Sequence, residues 1–188
     1  VFDDLDMDGR PYDMSLIVLP YWVQHCSKCR FCSSDIRVAS EQAADIIKTS
    51  AYLGIINDQS FPYLSREYNA ASYLCRFAHD YANAGWHVLR ATWKCEDTHH
   101  PLRGVIRQQA IDNFLLALEH QQSFAPTLSE QHLIIADLYR RHGEFVLARK
   151  HNQQAAQSHP NNAISAAINV QANAIEDGTF QRLIRPTM

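Results

Sequence analysis

Glycine is scarce in this chain, at 6 of 188 residues. Tight β-turns lean on glycine, so a fold built from many short hairpins is disfavoured and helices are expected. Long hydrophobic runs are missing too. The longest, Leu16 to Val23, is interrupted by Pro20 and is far too short to cross a bilayer, so no membrane partner is expected. Neither sign of charge is in excess: 17 Lys and Arg face 20 Asp and Glu, a net charge of −3. Phosphate binding needs a clustered cationic face, so nucleic acid is not an expected partner. No basic segment leads into a cleavage site, which argues against a secretory signal. The usual catalytic signatures are absent as well: no G-x-S-x-G, no Walker loop, no H-E-x-x-H and no helix of paired carboxylates. Ten histidines are scattered, with His99-His100 placed in a loop.

Cysteine is present but badly arranged for disulfides. There are five, and three of them, Cys26, Cys29 and Cys32, fall within seven residues. An odd, crowded set suits a reducing compartment, so a cytoplasmic protein is expected. Cys75 and Cys95 lie in apolar helical patterns and read as small buried hydrophobes. Apolar residues at 46% and charged residues at 20% are ordinary for a globular chain of this length.

Along the chain, residues 1–15 are acidic and broken by Asp-Gly and Arg-Pro. They read as an extended arm whose Asp3, Asp4, Asp6 and Asp8 are solvated. Residues 16–23, LIVLPYWV, read as an edge strand because of Pro20. A cysteine-rich turn follows. Everything after Ser40 has helical periodicity: a helix from the Ser40 cap to about Ile56, others from about Ser65, Ala84 and Pro101, a pair within 129–162, and a last one from about Ala163 to Asp177, stopped by Gly178. The expected organisation is an arm and knuckle over 1–39, a helical domain over 40–178 and a tail over 179–188.

Residues 129–162 carry the clearest pattern. Ala136, Ala148 and Ala155 are small residues at the spacing of helix crossings. Tyr139 and Phe145 fill the wider gaps, Gly143 marks a turn, and Pro160-Asn161-Asn162 ends the unit. This resembles a tetratricopeptide repeat (TPR), whose period is about 34 residues. A looser copy uses Trp86, Leu89 and Trp93, then Ala110, Phe114 and Ala117. The resemblance implies a mainly α fold of TPR-like antiparallel hairpins stacked into a right-handed array, behind a short N-terminal β and zinc-knuckle segment. It also implies a concave face for a protein or peptide partner, offered in this unit by Leu133, Asp137, Arg140 and Arg141. An Asp at 137 would repel the C-terminal carboxylate that some such repeats clamp.

Cys26-Ser-Lys-Cys29 has the spacing of a zinc knuckle, from which two thiolates can reach one tetrahedral ion. Four ligands are needed, and Cys32, His25, the distant His99 or His100, or a pair upstream of Val1 are the candidates to complete it. The run DLDMDGRPYDMSLIVLPYWVQHCSKCRFCSSDI resembles the second knuckle of a bacterial family known as domain of unknown function 2225. Trp22, Cys26 and Cys29 match it, while Ser27 and Arg30 replace its Pro and Gly. That family has zinc-ribbon knuckles followed by TPR-like helices, and the resemblance implies Zn²⁺ without implying an activity. The expected role is therefore protein–protein interaction or scaffolding. The alternative is a metal- or thiol-dependent enzyme or redox sensor using Cys26, Cys29 and Cys32.

Overall fold

The computed structural model describes residues 5–11 and 15–186, which are mainly helical with one short two-stranded antiparallel sheet. The chain divides into two compact units, one of residues 16–122 and one of residues 1–15 with 123–188. The units part at 15/16 and 122/123.

Unit 2, residues 16–122, begins with a short helix, α1 (Ser15–Val18), running into a 3₁₀ turn over Leu19–Tyr21. A strand was expected here. Pro20 sits in the first turn of the 3₁₀ segment, where its fixed φ is already helical and its missing N–H costs nothing. Tyr68 Oη donates to the Leu19 carbonyl at 2.6 Å, and the guanidinium of Arg90 lies 5.0 Å from the Trp22 ring centre, which pins the segment to the helices. The strands come next, β1 (Gln24–His25) and β2 (Cys32–Ser33), on either side of the cysteine turn. Ser40 caps the following helix as expected, but the helix breaks in two: α2 (Glu41–Ile46) and α3 (Ser50–Asn57). Thr49 causes the break, because its side chain accepts from Tyr52 N and starts a second helix.

The long helices of unit 2 are α4 (Tyr63–Phe77), α5 (Tyr81–Asp97) and α6 (Arg103–Glu119), and α5 packs on both its neighbours. The contact between α5 and α6 is very close. Gly85 lies under the buried ring of Phe114, and Trp86 meets that ring edge-on at 5.6 Å between centres.

Unit 1 holds the hairpin read most clearly from sequence: α7 (Leu128–His142) and α8 (Phe145–Gln157). Thr127 and Glu130 form a reciprocal capping box at the start of α7. Gly143 ends α7 at φ +93°, a left-handed geometry that side chains resist, and its N–H returns to the Arg140 carbonyl. Ala136, Ala148 and Ala155 are fully buried where the helices approach. The last helix, α9 (Asn162–Glu176), packs on α7 and α8 and is followed by Gly178 at φ +65°.

Each unit buries a neutral histidine. His87, on α5, is pushed down to about 3 by burial; His151, on α8, is pushed down to about 4 by burial and then by His132. His151 Nδ1 is 3.1 Å from His132 Nδ1, and its ring lies tilted against Tyr139 at 5.6 Å between centres. A base whose folded pKa is depressed contributes stability that is present above its unfolded value, near 6.5, and lost as pH falls toward 4. Stability is expected to drop by about 1–2 kcal/mol across that window. Thermal melts at stepped pH should show this drop, and His151→Gln should lessen it while the share of His87 stays. Asp6 works in the other direction: burial raises it to about 6, so its share of stability is lost as pH rises through 6.

Candidate functional site

The knuckle is built by the ribbon. His25 faces Cys32 directly across the sheet, and the ladder continues with Cys26 N donating to the Phe31 carbonyl at 2.9 Å. Arg30 N closes the turn on the Cys26 carbonyl at 2.7 Å, and Arg30 itself has φ +64°. This is the position where a knuckle prefers glycine, and here Arg30 takes the left-handed conformation instead. Two hydrogen bonds hold it there: Tyr52 Oη accepts from Cys32 N at 3.1 Å and donates to the Arg30 carbonyl at 2.7 Å. The amides of Cys29 and then Lys28 are aimed at Cys26 Sγ and lower its thiol pKa. An amide donating to sulfur stabilises the thiolate, the form that binds metal.

The pleat separates the candidate ligands. Paired residues share a face of a sheet and the next residue points to the other. His25 and Cys32 therefore lie on the face toward α3 and α4. Cys32 is buried, bonded near Tyr52, and its thiol is pushed up to about 12 by burial. His25 Nδ1 is 3.0 Å from Tyr63 Oη and 3.4 Å from Glu67 Oε1. Cys26 and Cys29 instead border a mostly apolar pocket of about 350 Å³ formed with Phe31, Ile36 and Ile47 of the α2 side and with Lys48. His100 Nε2 is taken by the Ser60 carbonyl at 2.6 Å. Among the described residues, no three His, Cys, Asp or Glu side chains come together to hold a metal. The knuckle thus brings two thiols together, and His25 and Cys32 are directed elsewhere.

The four residues expected on a partner-binding face are all buried: Leu133 and Arg140 fully, Asp137 at 1% exposure and Arg141 at 8%. The chain's own arm and tail cover them. Residues 5–11 fold back on themselves through the Asp8-Gly9 turn, with Asp6 N donating to the Arg10 carbonyl and Gly9 at φ +82°. They pair with the tail through Met7 N to the Leu183 carbonyl and Arg185 N to the Leu5 carbonyl. Met7 enters an apolar cluster with Leu133, Ala155, Ile164 and Ile168, with Leu183 beside it. Asp8 meets Arg141 at 3.0 Å, Asp6 meets Arg182, and Arg140 bonds Asp137 at 2.6 Å and the Thr179 carbonyl at 2.5 Å. Asp6 and Asp8 are therefore core residues, not solvated ones; Asp3 and Asp4 lie outside the described residues.

No family model matches this chain, and no curated protein or solved structure is detectably similar to it. The geometry therefore carries the functional reading.

An open face does exist, on a different part of the fold. Within unit 2, a hollow of about 500 Å³ lies between α3, α4 and α6, with Asn69, Tyr73 and Arg76 on one wall and Gln109 and Asn113 on another. Sequence reading passed over these residues because each is an ordinary residue of a helix face. The available signal was their spacing: 69, 73 and 76 share a face of α4, and 109 and 113 share a face of α6. Among the described residues no helix is long and apolar enough to cross a membrane.

Proposed function

We propose that this chain is a protein-interaction module of TPR-like helical hairpins, carrying a zinc knuckle and belonging with the domain of unknown function 2225 family. The observation that carries the interaction reading is the hollow between α4 and α6: a helical face left uncovered, with polar side chains over an apolar floor that includes Val88 and Ile106. An array of short synthetic peptides is expected to contain binders. Filling the hollow from its exposed edge with Gln109→Trp should weaken them by tenfold or more. An array without binders, or binders indifferent to that change, would sink the reading.

The knuckle geometry supports zinc as a structural ligand. Cys26 and Cys29 would hold the ion. When bound, zinc would fix the turn that Tyr52 already braces. Cobalt substitution reads this directly through the thiolate-to-metal absorption band. Cys26→Ser and Cys29→Ser should each abolish the band, while Cys32→Ser, on the other face of the ribbon, should leave it intact. Dependence on Cys32 would instead place all three thiols at the metal.

A further inference from the structure

The α7–α8 hairpin carries a histidine pair that the interaction and zinc proposals leave unused. His132 lies on α7 and His151 on α8, and their Nδ1 atoms are 3.1 Å apart. The register of the hairpin brings them together. One turn away, Ser129 Oγ donates to the Ala155 carbonyl at 2.8 Å and ties the two helices on that side of the pair. On the other side Ala136 and Ala148 are fully buried where the helices approach. Asn152, next to His151, donates to the Ile168 carbonyl at 3.1 Å and ties α8 to α9. The His151 ring is braced by Tyr139. Both imidazoles therefore stand on well-packed helices, the setting that holds a ligand pair in a fixed geometry. His151 is 7% exposed and His132 is half-buried, so solvent reaches the pair from the His132 side. Burial lowers both imidazoles, and both are neutral at pH 7, the form that ligates metals.

The separation of the two nitrogens selects an ion. A metal at about 2.0–2.1 Å from each would subtend about 95–100° across the 3.1 Å gap, close to a right angle. A tetrahedral ion would want the nitrogens about 3.4 Å apart. Square-planar and tetragonal sites suit Cu²⁺, which also binds a given set of nitrogens more tightly than the other divalent first-row ions. We propose that His132 and His151 form a Cu²⁺ site on the hairpin, with the two imidazoles along one edge and water in the remaining positions. In the free chain one Nδ1–H donates to the other Nδ1. On binding, that proton passes to Nε2 of its own ring, and the ion takes the lone pairs of both Nδ1 atoms. The site shares no residue with the cysteine knuckle or with the hollow of unit 2.

The test uses the full chain with Cys26→Ser and Cys29→Ser, so that the knuckle thiols neither bind nor reduce the copper. One equivalent of Cu²⁺ should give a tetragonal electron paramagnetic resonance spectrum split by two nitrogens. Calorimetric titration should show one site per chain that is tighter than the rest. His132→Asn and His151→Gln should each weaken that site by tenfold or more. His132→Asn is the milder change, because that ring is half-buried, and its melting curve without copper checks the fold. His99→Asn combined with His100→Asn should leave the tight site intact. A first equivalent that is indifferent to His132→Asn, or that is lost with the His99 and His100 changes, would place the copper elsewhere and overturn the inference. A spectrum split by one nitrogen or none, or a titration with no tight site, would overturn it as well. The peptide-array and cobalt experiments read other residues, so their outcomes are independent of this one.

Discussion

Replacing Asp137 with alanine is expected to destabilise unit 1 by about 3–5 kcal/mol. Arg140 is fully buried, and its carboxylate partner is Asp137 at 2.6 Å; Arg141 lies 3.8 Å from the same side chain. Removing the carboxylate leaves the Arg140 charge in a dry site with the Thr179 carbonyl, which offers a dipole but no compensating charge. Urea unfolding followed by far-UV circular dichroism measures the loss. Arg140→Met in the Asp137→Ala background should recover part of it, since a pair replaced by apolar volume costs less than a pair cut in half. A single-variant loss below about 1 kcal/mol would show that water reaches Arg140 and that the arm does not seal it.

Gly85→Ala is the second large effect, expected at about 1–3 kcal/mol in unit 2. A Cβ built on Gly85 would sit 2.5 Å from Phe114 Cδ1 and 2.6 Å from Cε1. The ring is fully buried and braced by Trp86, so it has little freedom to retreat. The helices α5 and α6 must therefore spread. Trp22, Trp86 and Trp93 all lie between residues 16 and 122, so tryptophan fluorescence reports this unit. Phe114→Leu in the same background should relieve the clash. An unchanged midpoint for Gly85→Ala would mean that the helices are not packed this closely.

Helices were legible where local rules agreed. Gly143, the alanines and Pro160 all point to one hairpin, and α7 and α8 are there. Residues 16–23 misled because a short β-branched run with one proline suits an edge strand and a 3₁₀ turn equally, and contacts with Tyr68 and Arg90 decided between them. The acidic arm misled for a different reason. Asp8 finds Arg141 across 133 positions of sequence, a pairing that no local pattern announces. The same long-range pairing hides Leu133, Asp137, Arg140 and Arg141, which sequence spacing alone would leave open to a partner. The thiols of Cys26 and Cys29 were legible as a pair, and the placement of His25 and Cys32 toward α3 and α4 came only with strand register.

The pairing of residues 5–11 with residues 179–186 also sets an order of events during synthesis. The arm leaves the ribosome before any other described segment, yet its hydrogen-bonding partner, around Leu183 to Arg185, is made after every described helix. Unit 2 is encoded wholly between them and has all its contacts available earlier. Domains generally fold as units while the chain emerges, and contacts of long sequence separation form late. Met7, Asp6 and Asp8 must therefore wait, exposed, through the making of both units, and the seat they finally take is completed only when the tail arrives.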